Sequence, residues 1–207
     1  GAAESIDDFV GEWVLTAETN EYDSEGAPTG NYVNIDIPVE LVKADDETIK
    51  MVGLTNGTFG DYDDSIVWTY NGGYLQMTAQ DMPDWTNPNG VEFDCIATVC
   101  NFESLFNMNA AGVIFLDAGI TDAGVIKFFD DPGNASYDIE VCGFGIYGIY
   151  NGSYYAMSDI LYNGSMTAAT EGAARRDYVT KPQMAPVTGM VVTELTRKSA
   201  EREYVIN

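Results

Sequence analysis

The sequence predicts an all-β domain built as an antiparallel meander, on three observations. Apolar residues alternate with a period of two through most of its patterned segments. Asn-Gly dipeptides, which readily adopt the positive φ angles of tight hairpin turns, interrupt those segments. Helical signals are few, the clearest being one short stretch, "NFESLF" (Asn101 to Phe106). The chain has 207 residues, 45% of them hydrophobic. That is enough for one core of ordinary size, and residues 1–207 are read as a single β domain.

The elements follow in chain order. "FVGEWVLTA" sets Phe9, Gly11, Trp13 and Leu15 on one face and Val10, Glu12, Val14 and Thr16 on the other, a strand. "IDIPVEL" points Ile35, Ile37, Val39 and Leu41 inward, and Pro38 marks an edge or a position that needs no ladder donor. The polar turn "KADDE" and the strand "TIKMV", with Ile49 and Met51 inward, complete a hairpin. "SIVWTYNGGYLQMTA" predicts a type I′ turn at Asn71-Gly72, with Trp68 opposite Leu75 and Ile66 opposite Met77. "YNGSYYAMS" (Tyr150 to Ser158) echoes that hairpin, and "YNGSM" (Tyr162 to Met166) offers a third such turn, as a meander requires. "NFESLF" predicts one or two helical turns behind an Asn101 cap. "MTAATEGAARRDYVTKPQMAP" reads as a loop with a short helical turn, and "GMVVTELTRKSAEREYVIN" returns to strand. These last strands are expected to close or nearly close the sheet.

Composition narrows function more than it defines it. Nine Lys and Arg stand against 33 Asp and Glu, for a formal charge of −24, so nucleic acid and anionic lipid surfaces are excluded as partners. Lys43, Lys50 and Lys127 are the bases of residues 1–174, and the remainder crowd the tail. Histidine is absent, which removes Ser-His-Asp and Cys-His catalysis and every histidine-ligated metal site. Cys95, Cys100 and Cys142 lack the spacing of a zinc or redox motif and are expected as buried thiols. The chain has no apolar run long enough to span a membrane. Gly1 reads as a cloning remnant, and membrane attachment is expected only through a lipid anchor removed ahead of it.

The opening strand resembles the Gly-x-Trp strand with which lipocalins and other calycins begin, through Gly11 and Trp13. The chain is also similar to exported Bacteroidetes lipoproteins that open Phe-x-Gly-x-Tyr/Trp and later carry a Tyr-x-Gly-x-Leu segment. Here those parts are "FVGEW", "IDIPVELVKADDETIKMVGL" and "YNGGYLQMTAQ", within about the first eighty residues. The resemblance implies a calycin-like up-and-down barrel, with a β-sandwich as the alternative. It further implies that Gly11 and Trp13 close one barrel end, that Arg197 packs across Trp13, and that the setting is periplasmic or at the outer-membrane surface. It implies no reaction.

Several clusters are candidate sites. Trp85, in the Pro- and Asn-rich "QDMPDWTNPNG", has Asp81, Asp84, Asn87 and Asn89 about it. An aromatic face beside hydroxyl-binding groups suits a sugar ring, and a tryptophan folded back on the barrel mouth is the competing reading. Tyr147, Tyr150, Tyr154 and Tyr155 form an aromatic run that reads either as a binding surface or as core. Asp61, Asp63 and Asp64, and likewise Asp130, Asp131, Asn134 and Asp138, offer carboxylate oxygens to a hard cation or form solvated turns. Four Asn-x-Ser/Thr matches, at Asn56, Asn134, Asn151 and Asn163, are read as turns. The expectation is an exported binding protein without enzymatic activity or cofactor, its ligand a glycan or a small apolar molecule. The alternatives are a carboxylate-dependent glycoside hydrolase, for which no acid pair stands out, and a structural or adhesion module.

Overall fold

The computed structural model describes residues 2–170, 182–195 and 200–205. The alternating segments become β1 (Gly11–Tyr22), β2 (Pro28–Lys43), β3 (Thr48–Val52), β4 (Ile66–Asn71) and β5 (Tyr74–Met77), each antiparallel to the next. The chain then leaves the wall as β6 (Gln80–Thr86), β7 (Glu92–Cys100) and β8 (Ser104–Phe106), and returns as β9 (Leu116–Ile120) and β10 (Ile126–Asp130). A second excursion, β11 (Gly143–Tyr150) and β12 (Ser153–Ala156), returns as β13 (Leu161–Ala168). One edge of β13 pairs with β10 and the other with β1, so eight antiparallel strands close into an up-and-down barrel. The excursions join β14 (Ala185–Pro186), β15 (Val191–Leu195) and β16 (Ala200–Val205) in an outer extension of the sheet. No helix among the described residues is long and apolar enough to cross a membrane.

Side chains fill the barrel. Leu15, Ile37, Ile49, Met51, Ile66, Trp68, Met77, Leu116, Ile126 and Met166 are all at most 1% exposed. Trp68 meets Phe128 at 5.4 Å and Phe144 at 5.7 Å between ring centroids, and these two phenylalanines meet each other at 5.4 Å. Gly164 makes room for this ring cluster, since a Cβ there would lie 2.8 Å from the Phe128 ring. One barrel end is covered by a 3-10 turn (Ile6–Phe9) held by a Ser5–Asp8 capping box. Phe9 is therefore buried from a turn, and the strand begins only at Gly11, whose φ of 141° is one L side chains rarely adopt. Trp13 donates its Nε1–H to the Phe9 carbonyl at 2.9 Å, which ties the cover to β1.

The structure corrects four local expectations. At the first hairpin, Gly72 and Gly73 form the turn with φ of 61° and 90°, and Leu75 pairs with Tyr70 instead of Trp68. The slip is two residues, so every side chain keeps its face. Two glycines accept left-handed angles at less cost than Asn-Gly, and Gly73 is also pressed by the N-terminal segment, with Ala2 Cβ 2.5 Å from where its own Cβ would be. The second hairpin lacks that extra glycine and turns at Asn151-Gly152 as expected. "YNGSM" is no turn: it lies within β13, where Asn163 takes a φ of 52°. "NFESLF" is no helix either, because Asn101 Oδ1 accepts from the Glu103 and Ser104 amides and the chain continues into β8. The fourth correction concerns closure. β13 seals the barrel, whereas β15 runs parallel to β8 and pairs with β16, outside it.

Candidate binding cleft

β2 has 16 residues and β3 only five, so the β1–β2 hairpin outruns the wall and projects as an arm. Thr19 anchors its base by donating Oγ1–H to the Ile160 carbonyl at 2.7 Å. Between this arm, the Phe102 turn and the 186–190 segment lies a cleft of about 490 Å³. Three rings define one side of it. Phe102 stacks on Tyr162 with centroids 4.3 Å apart and 16° between planes, and Tyr32 meets both edge-on at 5.0 and 5.8 Å. Tyr162 is buried, while Phe102 and Tyr32 are 40% and 43% exposed and present free ring area.

Hydrogen-bonding groups reach the same space from Asn20, Thr29 and Thr188, and Tyr22 forms part of its wall. Burial, reinforced by the nearby Asp159 charge, pushes the Tyr22 hydroxyl up to about 12, so it serves as a neutral donor and acceptor at any physiological pH. Burial also raises Tyr162, with smaller contributions from Cys100 and the neighbouring tyrosines. Among the described residues, the fifteen that line the cleft are all uncharged. With 33 acids in 207 residues, two or three would fall among fifteen by composition alone. These uncharged side chains stand out on a strongly anionic protein, and the buried Asp159 is the acid whose charge reaches Tyr22 among them.

The residues singled out from sequence are placed elsewhere. Trp85 lies on β6, not in a loop, and is half-buried against Phe59 at 4.9 Å and Phe93 at 5.7 Å. Asp81 and Asp84 are exposed on the same strand, and Asn87 Oδ1 is spent on the Asn89 and Val91 amides in the following turn. Tyr147 is fully buried and Tyr154 packs against the same minor core, so that run is core more than surface. Asp61, Asp63 and Asp64 do not converge. Asp64 accepts from the Gly53 and Thr55 amides and the Thr55 hydroxyl, and Asp63 from the Ser65 amide and hydroxyl. Carboxyl oxygens of Asp84, Glu92 and Asp94 do lie within 4.8 Å of one another, all three on exposed side chains.

Asn134 is a buried lock, bonded through its amide to both backbone groups of Phe115 and to Asp130. Asn56, Asn151 and Asn163 hold φ between 49° and 52°, the left-handed conformation of turns and bulges. Cys95 and Cys100 are buried, Cys142 is half-buried, and all three are free. Gly11 opens β1, and Trp13, on that strand, donates its Nε1–H to the Phe9 carbonyl of the 3-10 turn. Arg197 lies outside the described residues.

Sequence reading missed Tyr32, Phe102 and Tyr162. No periodic signal marked Tyr32, because residues 28–32 at the arm end of β2 are all exposed and do not alternate. Comparisons with protein-family models, with curated proteins and with solved structures found no match.

Proposed function

We propose that the protein is a non-enzymatic binding protein that works outside the cytoplasm, in the periplasm or at the outer-membrane surface, and takes a neutral glycan in the arm cleft. The observation that carries this reading is an aromatic-walled cleft whose described lining residues are all uncharged, on a chain of net charge −24. Sugar rings present C–H faces that pack on aromatic rings and hydroxyls that suit Asn, Thr and Tyr groups, and they carry no charge to be matched. An apolar ligand of the lipocalin kind would need an open barrel, and here the interior is occupied by Trp68 and its neighbours. A glycoside hydrolase needs two carboxyl groups astride its substrate, and among the described residues no carboxylate lines the cleft. The export setting rests on the resemblance of "FVGEW" and "YNGGYLQMTAQ" to exported lipoproteins.

The test is a screen of neutral oligosaccharides by glycan array, followed by titration calorimetry on the best binder. Phe102→Ala and Tyr32→Ala each remove one exposed ring, and stacking of about 0.5–1.5 kcal/mol per ring predicts about two- to tenfold weaker binding. Trp85→Ala leaves affinity unchanged, and raising the salt from low to high leaves it unchanged as well. Binding that survives loss of both rings, that is abolished by Trp85→Ala, or that collapses in salt refutes the assignment.

A further inference from the structure

On the outer wall of the barrel, β5, β9 and β10 set Gln76, Asp117 and Phe129 in one row, Gln76 opposite Asp117 and Asp117 opposite Phe129. Asp117 faces outward from the barrel yet is only 5% exposed. The chain that leaves β10 folds back against it. Asp131 begins this return and caps the 3-10 turn Pro132–Tyr137, its Oδ1 accepting from the Gly133 amide at 2.7 Å. Gln76 Nε2 donates to Asp117 Oδ1 at 3.2 Å and to Asp131 Oδ2 at 2.8 Å. One amide nitrogen therefore bridges two carboxyl groups.

The other groups facing this pair do not neutralise it. Asp130, at the end of β10, is a third acid, engaged by Asn134 Nδ2 and the Val141 amide. From β5, Tyr74 packs on Phe129 and beside Gly119. Lys127 shares this face of β10, opposite Gly119, and makes no ion pair among the described residues. Two ionised carboxylates here would repel one another with no cation between them, and neither would have a donor to offer the other.

We propose that Asp117 and Asp131 hold a single proton between them, and that this proton latches the 131–138 turn to the barrel wall until alkaline pH removes it. With Asp117 protonated, its O–H donates to the Asp131 carboxylate while its other oxygen accepts from Gln76, so both carboxyl groups are fully engaged. Burial first, and the Asp131 carboxylate second, hold the Asp117 carboxyl up at about 8. The folded chain keeps this proton where the unfolded chain has lost it, near a pKa of about 3.9. The latch is thus complete at low pH and is lost as pH rises through about 8. Opening is local, because the Asn134 bonds to Phe115 involve no titrating group and continue to hold the far side of the turn.

The test is a carboxyl ¹³C titration of the whole chain by NMR, with amide exchange measured at Gly133 after correction for its intrinsic pH dependence. In the wild type, one aspartate is expected to titrate near 8, about tenfold more protonated than ionised at pH 7, and exchange at Gly133 rises across that midpoint. Asp117→Asn keeps an amide donor toward Asp131, so the midpoint disappears and exchange no longer changes with pH. A wild type in which every aspartate titrates below 5 overturns the proposal without recourse to a variant. So does an Asp117→Asn chain whose Gly133 exchange still rises as the wild type's does.

Discussion

Replacing Trp68 tests whether the barrel is as full as its side chains indicate, and with it the argument that the ligand binds outside. The indole is 0% exposed and is enclosed by Phe128 and Phe144. Truncating such a ring to alanine costs about 3–5 kcal/mol, of which the cavity left behind is a large part. Trp68 Nε1 has no hydrogen-bond partner among the described residues, and an unsatisfied buried donor costs about 1–3 kcal/mol. Deleting it returns some of the loss, so Trp68→Ala is expected at the lower end, about 3 kcal/mol. Trp68→Phe removes the same donor, keeps a ring, and is expected within about 1 kcal/mol of the wild type. Trp13→Ala should be costlier, about 4–5 kcal/mol, because it also strips the Phe9 carbonyl of its donor. Trp85→Ala, at a half-buried site, should cost about 1–2 kcal/mol. Urea unfolding followed by far-ultraviolet circular dichroism, with unchanged slopes, ranks the set. A cost below about 1 kcal/mol for Trp68→Ala would mean that the interior has slack. The case against an interior ligand would then fail.

Two further substitutions probe the loops that frame the barrel. Asp64→Ala removes three hydrogen bonds to Gly53 and Thr55 and strands their donors. It should cost about 3 kcal/mol in urea unfolding and open the 53–65 loop to limited proteolysis. Gly73→Ala sets a side chain at a φ of 90° and 2.5 Å from Ala2, whereas Gly72→Ala meets open space. Both should lose about 1–2 kcal/mol to the left-handed backbone. Exchange of the Ala3 amide, which donates to the Gly73 carbonyl, should rise in Gly73→Ala alone.

The barrel wall was legible wherever one face is buried and the other wet, because that asymmetry writes itself into every second residue. Ile35, Ile37, Val39 and Leu41 declare β2 in this way, and Ile49 and Met51 declare β3. Turn position is set by finer energies. Between Asn71-Gly72 and Gly72-Gly73 the difference is one of left-handed backbone cost, and Gly73 also lies against an N-terminal segment seventy residues away in sequence. β7 from Cys95 onward and β11 up to Gly148 are buried at every residue, so these stretches do not alternate. Their long-range pairing is therefore invisible to a period-two reading. Trp85 misled for the opposite reason. The Pro and Asn residues around it suggest a loop, yet β6 accommodates Pro83 at a register shift between Met82 and Trp85, where no ladder donor is required.

The cleft could not be read from any one segment because it forms where the sheet forks. β13 pairs with β10 through Ser165 and Met166 and with β11 through Leu161 and Tyr162, and the change of partner falls at Asn163 and Gly164. The left-handed Asn163 bends the strand there, so its two halves belong to diverging surfaces. Tyr162 stands at the base of that divergence, Tyr32 reaches it from the arm of β2, and Phe102 from the turn between β7 and β8. Divergence leaves concave space whose described lining residues carry no charge, while the buried Asp159, next in the chain to Ile160, acts on the Tyr22 hydroxyl from outside that lining. An uncharged ligand with apolar faces and hydroxyls is what such a surface can hold without the cost of burying an unmatched charge.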